Sequence, residues 1–436
     1  MPAPGFFRKS PTGIKVLIVG AGFAGLTAAI ECDRKGHDVL LLEAFPELKI
    51  LGDIISFGPN SGRIFQQWEG VEPQLDRICH QSDGVHFVSY KGEYLFKQYW
   101  HDEEPYGKKF NGHRGEIHEI VFNHARARGI DIRLGHRVVD YFETDTEAGV
   151  VVQKQNGEKL RFTADVVFAA DGVRSTGRKI VLGYDDKPRS SGYAVYRTWF
   201  DSSRLKSPLT DHLWKHGDTH WAWIGPDVHF LAASLKNGKD FSWVCTHKDE
   251  ADIEDSWSTP GKIEDCLKVV EGWDPVVQEI VKATPTDYLV DWKLVYRDPL
   301  PTWISPKQRI ALIGDAAHPF LPTSIQGASQ SMEDGVTLAV CLEKSGRANV
   351  QEALRAYERI RYDRVLKAQK TGETTRDKWH KADWEEVKKN PQVLKLQRER
   401  WLLDFDSDRH AYEVYDGVVE ELRREQERKQ KEQAKL

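Results

Sequence analysis

Gly20, Gly22, Gly25 and Glu43 have the types and the spacing to hold a dinucleotide. An apolar run, Ile14-Lys15-Val16-Leu17-Ile18-Val19, leads into Gly20-Ala21-Gly22-Phe23-Ala24-Gly25; a helical segment follows to Lys35, and Val39-Leu40-Leu41-Leu42 ends on Glu43. A strand, a tight turn and a helix in this order set unpaired backbone N–H groups and the positive end of a helix dipole against a pyrophosphate. Gly20 makes the turn, Gly22 lets the backbone approach the phosphates, and Gly25 lets the helix pack on the strand. Glu43, at the end of the next strand, is placed to accept hydrogen bonds from ribose hydroxyls and to repel a phosphate there. An ordinary strand-to-helix turn with a surface glutamate explains the glycines but not the position of Glu43.

Other residues offer chemistry at strand ends. Asp171-Gly172 follows the apolar strand Ala164 to Ala170, and Gly314-Asp315 follows Arg309 to Ile313; singly, such pairs are turn signals. His113-Arg114-Gly115-Glu116 opens a helix with Ile117, Ile120, Val121 and Ala125 on one face. Tyr193, Tyr196, His220 and His229 are acid–base candidates, with packing as the alternative for each. His118 and His124 do not share a helical stripe, and His216 and His220 bracket a Gly-Asp turn, so no metal site is expected.

The elements that position these groups follow from the pattern. The loop Leu51-Gly52-Asp53-Ile54-Ile55 leads to Pro59-Asn60-Ser61 and a short helix carrying Ile64, Phe65 and Trp68. Alternation from Val85 to Phe96 around Lys91-Gly92 predicts a hairpin. Ile130 to Leu134 reads as a strand, and Val138 to Val152 with Leu160 to Phe162 as an antiparallel excursion. Gly192 to Val295 is β-rich, with strands at Tyr193–Phe200, Trp221–Ile224, His229–Leu235 and Phe241–Thr246 and a helical insert over Ile263–Lys282. A long helix runs from near Ala328 to Leu342, a second from Gln351 to Lys370, and Leu422 to Leu436 is a charged, frayed helical tail.

At 436 residues the chain is long enough for two or three domains. A net charge of -5 with dispersed Lys and Arg leaves no basic stripe for nucleic acid. The five cysteines, Cys32, Cys79, Cys245, Cys266 and Cys341, form no CxxC pair, which fits a reducing compartment. Met1 to Thr12 lacks the apolar segment of a signal peptide, and no apolar run approaches a membrane span, so a cytoplasmic protein with no membrane partner is expected. The oligomeric state stays open. Fourteen tryptophans, several between Trp199 and Trp257, suggest an aromatic-lined pocket there, against ordinary core packing.

In this order, and after the glycine fingerprint, Asp171-Gly172 and Gly314-Asp315 resemble the class A flavoprotein monooxygenases over about Lys15 to Lys370. Within that class the chain is most similar to salicylate-hydroxylase-like enzymes, including fungal tailoring enzymes that hydroxylate aromatic polyketides. The resemblance implies an α/β fold of para-hydroxybenzoate-hydroxylase type. A Rossmann-type FAD-binding domain (1–77, 108–183, 297–370) would carry an inserted mixed-β substrate domain (78–107, 184–296) and a C-terminal helical extension (371–436).

By that resemblance Gly20, Gly22 and Gly25 bind the FAD pyrophosphate, Glu43 the adenosine ribose, and Arg114 the phosphate and ribose side. Asp171 and Gly172 match the motif associated with FAD and the passing nicotinamide. Gly314 and Asp315 match the ribityl contact, and Pro319 to Ala328 the loop around the isoalloxazine, with Gln326, Gly327 and Ala328 offering backbone N–H groups. Gly52-Asp53-Ile54 stands where the family has a Gly-Ala-Gly-like loop, with a backbone contact kept at Ile54, and Ile325 stands where a glycine is common. Arg197, in Tyr193-Ala194-Val195-Tyr196-Arg197, matches an arginine that faces substrate in dearomatising relatives; it would bind a phenolate or carboxylate, or form a structural ion pair. Related hydroxylases carry a tyrosine two residues before a stretch like Leu235-Lys236-Asn237-Gly238-Lys239; here that residue is Ala233. Trp221-Ala222-Trp223-Ile224-Gly225-Pro226 resembles the halogenase WxWxIP signature, but its isoleucine is one position early and strand composition accounts for it.

The implied activity is a single-component FAD-dependent monooxygenase. NADPH or NADH would act as a transient co-substrate, with no second glycine fingerprint to hold it, and a flavin C4a-hydroperoxide formed from O2 would hydroxylate a phenolic or other aromatic small molecule. Arg197, Tyr193 and His229 are the catalytic candidates. Epoxidation or Baeyer–Villiger insertion, an FAD-dependent dehydrogenase or reductase, and a non-enzymatic flavin-dependent interaction protein are the alternatives.

Overall fold

The computed structural model describes residues 5–48, 52–101, 106–154, 157–249 and 258–433. Leu51, Trp257 and the end of the expected tail lie outside them. The chain begins β1 (Lys15–Val19), α1 (Phe23–Arg34), β2 (Asp38–Leu42), β3 (Ile54–Phe57), α2 (Pro59–Gln66) and α3 (Glu72–Ile78). The hairpin β4 (Gly84–Ser89) and β5 (Tyr94–Tyr99) follows, then β6 (Phe110–His113), α4 (Arg114–Ala127), β7 (Asp131–Arg133), β8 (Arg137–Glu143), β9 (Ala148–Gln153), β10 (Lys159–Ala164), β11 (Val166–Ala169) and α5 (Gly177–Leu182). The middle of the chain supplies β12 (Arg189–Asp201), β13 (His220–Gly225), β14 (Val228–Leu235), β15 (Asp240–Lys248), β16 (Ser258–Pro260), α6 (Ile263–Val269), α7 (Pro275–Ala283) and β17 (Val290–Tyr296). The remainder is β18 (Ile310–Leu312), α8 (Gly327–Ser345), α9 (Val350–His380), α10 (Trp384–Lys389), α11 (Arg400–Leu403) and α12 (Ser407–Gln433).

The continuous apolar run of β1 predicts a strand covered on both faces, and β1 sits in the middle of a five-stranded parallel sheet ordered β18-β11-β1-β2-β7. Val16 pairs with Val166 on one side and Val39 on the other. Helix α1 is buried from Phe23 to Asp33 because it lies between this sheet and α8. The helices meet so closely that a Cβ on Gly335 would stand 2.6 Å from the backbone nitrogen of Ala28. The expected excursion is the antiparallel sheet β10-β9-β8.

A second, eight-stranded sheet is ordered β16-β17-β12-β15-β14-β13-β4-β5. Its alternation sorts side chains onto two covered faces. Tyr196, Trp223, Phe230, Trp243 and Cys245 pack with residues of α6 and α7, including Cys266, Val277 and Ile280. Val85, Phe87, Ala222 and Ile224 occupy the other face, against Trp379 and Leu394 from the C-terminal region. The tryptophan-rich stretch therefore fills a core with Trp223 and Trp243 rather than lining a pocket, because alternation turns those rings toward the α6–α7 layer.

Two helices differ from expectation. Helix α9 continues without a break through Lys370 to His380. The C-terminal helix starts at Ser407 rather than at Leu422, and Tyr415, Val419 and Leu422 are buried in the same core as β1 and α1. Among the described residues no helix is long and apolar enough to cross a membrane, and no cluster of ligating side chains has the arrangement of a metal site.

Candidate active site

The β1–α1 turn has the expected geometry. Gly20 adopts φ +102°, and a Cβ there would lie 2.4 Å from the carbonyl oxygen of Ala170. A Cβ on Gly25 would stand 1.9 Å from the carbonyl of Gly20, which is what close helix–strand packing requires. Gly22 faces open space, with nothing within 4 Å of where its Cβ would be. The N-terminus of α1 has no side-chain cap and no acid in its first turn, so its N–H groups and dipole are directed at that space. Glu43 borders it: Oε2 accepts from the Ala21 N–H at 2.7 Å and Oε1 from the Phe45 N–H at 2.9 Å. His118 Nε2 donates to the Ala21 carbonyl at 2.5 Å and fixes the turn from the other side.

The two other strand ends converge on the same edge of the parallel sheet. Asp171 Oδ2 accepts from the Tyr141 hydroxyl and the Thr176 N–H, each at 2.9 Å, while Oδ1 is buried without a partner. Arg178 donates to the carbonyls of Ala316 and Asp315, both at 2.7 Å, and so shapes the backbone after β18. Burial lowers the Arg178 guanidinium to about 10, with Arg297 adding to it. The Asp315 side chain keeps accessible surface yet is enclosed by protein, as a group lining a deep cleft is. Burial raises its carboxyl, and His318, Arg114 and Arg178 oppose that shift. Arg114 starts α4, its N–H bonded to the Asp53 carbonyl at 2.9 Å, and its side chain packs under Gly52, where a Cβ would be 2.8 Å away.

Pro319 to Ala328 forms a loop that ends at the N-terminus of α8. That helix too lacks a side-chain cap and a first-turn acid. Ile325 adopts the left-handed conformation, φ 55° and ψ 22°, unusual for a β-branched residue. The loop is held to α9 by Thr323 Oγ1, which donates to the Gly372 carbonyl at 2.7 Å, and by Gln369 Nε2, which donates to the Pro319 carbonyl at 2.9 Å.

Behind the loop lies a buried charge network that the sequence reading did not find. Arg361 Nε donates to Asp334 Oδ1 at 2.9 Å, Arg361 also pairs with Glu333, and Arg364 makes a two-point contact with Glu333 at 2.8 and 2.9 Å. Asn60 Nδ2 donates to Glu333 at 2.7 Å and to the Gln326 side chain at 3.1 Å. Asp334 Oδ2 accepts from the Gly314 N–H at 2.9 Å and contacts His318 Nε2 at 2.6 Å. Burial alone raises the Glu333 and Asp334 carboxyls; the cations around them reverse this and hold both below the ordinary range. The one available signal was the adjacent acids Glu333-Asp334 in mid-helix, with Arg361 and Arg364 spaced i, i+3 on the next helix.

Between this loop and the sheet opens a cavity whose empty space, counting what is open to solvent, is about 540 Å³. Phe57, Val85, Phe87, Ala222, Leu231, Trp379 and Leu396 make it apolar, and no carboxylate is among its described lining residues. Ile325 and Gln326 form the wall on the loop side. Directly paired residues on one sheet face run Phe87, Ala222, Leu231, Val244, Arg197, so Arg197 projects from the face that lines the cavity. Its Nη1 lies 2.9 Å from Asp53 Oδ2, and its guanidinium stacks over Trp292 at 4.4 Å. Ala233 is buried on the same face and offers no phenol.

Tyr193 and His229 lie elsewhere. His229 Nδ1 is 2.7 Å from Nε2 of His380, both buried, and Tyr193 sits beside His380 under Arg376. Burial lowers both imidazoles, His380 to about 4, so the pair is neutral at pH 7. Neither Tyr193 nor His229 lines the cavity.

The pattern of a glycine cradle, two acidic strand ends and an apolar cavity beside a helix N-terminus defines a flavin-dependent oxidoreductase. The FAD binding domain family matches residues 13–371, and the chain belongs to it. It is 35% identical over 431 residues to asperlicin C monooxygenase of Petromyces alliaceus, covering 95% of this chain and 91% of that one. It is 34% identical over 429 residues to FAD-dependent monooxygenase nanF of Aspergillus nanangensis, covering 93% and 89%. The solved structure of CtdE with FAD and a substrate superposes with a TM-score of 0.87 at 34% identity, over 94% of this chain and 99% of that chain. Salicylate hydroxylase shares the fold, with a TM-score of 0.76 at 23% identity over 94% and 98%. The protein is an FAD-dependent monooxygenase of the class A fold. Its residues fit the cofactor: the open space at Gly22 beside the uncapped α1 suits a diphosphate.

Proposed function

We propose that the enzyme transfers one oxygen atom from O2 to an electron-rich aromatic ring of a fungal secondary metabolite, with NADH or NADPH as the transient reductant. The observation that carries this reading is the largely apolar cavity walled on one side by Ile325 and Gln326. Through bound FAD, two electrons from the nicotinamide reduce O2, one oxygen atom enters the substrate and the other leaves as water. The aromatic walls hold the ring and exclude water from the reacting centre. The uncapped N-terminus of α8 would stabilise negative charge on the bound cofactor. Arg197 rises from the sheet face that lines the cavity, paired with Asp53 and outside the lining itself, and its guanidinium is assigned to stabilise the oxyanion that forms on oxygen transfer. Gly52, Asp53 and Ile54 are thus assigned a role in placing that pair as well as a backbone contact to the flavin.

Epoxidation is the second reading. No carboxylate or phenol lines the cavity among the described residues, and attack on an electron-rich double bond needs no base. Purified protein should be yellow, and its NADPH or NADH oxidation should respond to a panel of phenols, benzoates and indoles. Mass spectrometry after turnover in labelled O2 should find one label per product and separate hydroxylation from epoxidation. Arg197→Ala should keep FAD and lose about 100-fold in product formation, the scale of one electrostatic donor. Unlabelled product ends the monooxygenase assignment; unchanged turnover in the variant ends the role of Arg197.

A further inference from the structure

One end of the cavity carries hydrogen-bonding capacity that oxygen transfer does not use. Trp100 is only 8% exposed, its ring lines the cavity, and its indole Nε1 is buried without a partner. His220, with its ring centroid 6.0 Å away, lines the same end, and its Nδ1 is also buried and unpartnered. Two dry polar atoms on adjacent rings are costly to leave unmet, and the groups that share a cavity share its ligand.

The surroundings define the ligand's chemistry. Lys109 Nζ lies over the Trp100 ring at 3.1 Å from its centroid, and the Arg398 guanidinium approaches the same ring at 5.1 Å. Both cations line the cavity, and no carboxylate does among the described residues. Burial, then His80, Lys109 and Arg398, holds the His220 imidazole well below its ordinary range, so it stays neutral with one N–H to donate. Trp100 and His220 thus present unpartnered ring donors at this end.

We propose that Trp100 Nε1 and the Nδ1–H tautomer of His220 bind a hydrogen-bond-accepting oxygen of the substrate, a carbonyl or an oxyanion, within the field of Lys109 and Arg398. The aromatic body of the substrate then lies among Phe57, Phe87 and Trp379. The inference rests on the cavity being the substrate site. It adds a recognition group to the cavity that Ile325 and Gln326 wall, and because both of its ring groups donate, it disfavours substrates with an ammonium there.

The test is calorimetric titration of the FAD-loaded protein with four naphthalene probes substituted at the same carbon: naphthoate, acetonaphthone, methylnaphthalene and naphthylmethylammonium. Naphthoate and acetonaphthone should bind about tenfold more tightly than methylnaphthalene, and naphthylmethylammonium should be the weakest. Trp100→Phe keeps the ring and removes the donor; it should weaken the two oxygen-bearing probes about fivefold and leave methylnaphthalene within twofold. His220→Phe should act in the same direction, each variant first being shown to retain FAD. A Trp100→Phe loss confined to naphthoate assigns an oxyanion, and equal losses assign a carbonyl. Equal affinity of all four probes, or a uniform loss in both variants, overturns the inference while leaving the cavity as the substrate site. Failure of every probe to bind the wild-type protein removes the cavity reading and this one with it.

Discussion

Ile325 stands in a left-handed conformation that costs an ordinary residue about 1–2 kcal/mol, at the point where the loop enters α8. Its resemblance-based mark as a position where glycine is common has this physical basis: the backbone there needs a positive φ. Gly22 and Gly25 show the complementary case, in which equal-looking glycines do different work. Gly25→Ala forces a Cβ to 1.9 Å from a backbone oxygen and should prevent folding to a soluble protein. Gly22→Ala meets nothing within 4 Å, so the apoprotein should melt normally while the Cβ intrudes on the diphosphate and the purified protein loses its yellow colour. Melting curves and the flavin absorbance of the two variants separate these outcomes. Equal melting of both would remove the packing role of Gly25. The cradle was legible because its residues lie in one short continuous stretch, Gly20 to Glu43, even though Gly20 also abuts Ala170. The His229–His380 pair was not, since its partners are 151 positions apart and neither carries a local signature.

Among the elements, β1, α1 and β2, the Val85–Phe96 hairpin and the strands of the large sheet followed from periodicity and turn residues. The C-terminal helices did not, because dense charge hid their buried stripes. Tyr415, Val419 and Leu422 recur at helical spacing among Arg and Glu residues, and α12 packs on α8 and α9. Arg423 adds a contact to Glu352 at 2.7 Å. Removing the chain from Ser407 onward should therefore cost about 5 kcal/mol, the burial of three large apolar side chains, and yield aggregated or flavin-free protein. Removing only the residues beyond Gln426 should change stability by less than about 1 kcal/mol, since exposed charge pairs contribute little. Chemical denaturation of both truncations checks the contrast, and a mild effect of the longer deletion would return α12 to the role of a solvated tail.

Across the whole molecule, several histidines are buried as neutral rings. Burial lowers His37, His124 and His380 from 6.5 to about 4, and His220 and His229 fall in the same direction. A base with a depressed folded value takes up its proton in the unfolded chain first. Stability should thus be level above pH 7 and decline as pH falls from 6.5 toward 4, by about 1.4 kcal/mol per pH unit for each such histidine. The carboxylates Glu333 and Asp334, held low by Arg361 and Arg364, contribute above their unfolded values and add a further loss only below about pH 4. Urea unfolding at a series of pH values measures the slope; a flat profile between pH 6.5 and 5 would show that these rings are not dry in solution.

The folded chain's division of labour was only half legible. The glycine fingerprint and the acidic strand ends announce the cofactor, but the wall of the cavity is assembled from distant segments. Trp100 and Trp379 line it, while Trp223 and Trp243 of the conspicuous cluster fill a core on the other sheet face. That arrangement has a consequence for how such enzymes diversify. The family match ends at residue 371, yet Trp379, Leu396 and Arg398 close the cavity from beyond it. Part of the cavity wall therefore lies outside the stretch that carries the cofactor cradle, while Trp100 and His220 lie within it. A short exchange near the C-terminus can reshape that part of the wall without disturbing a residue of the cradle.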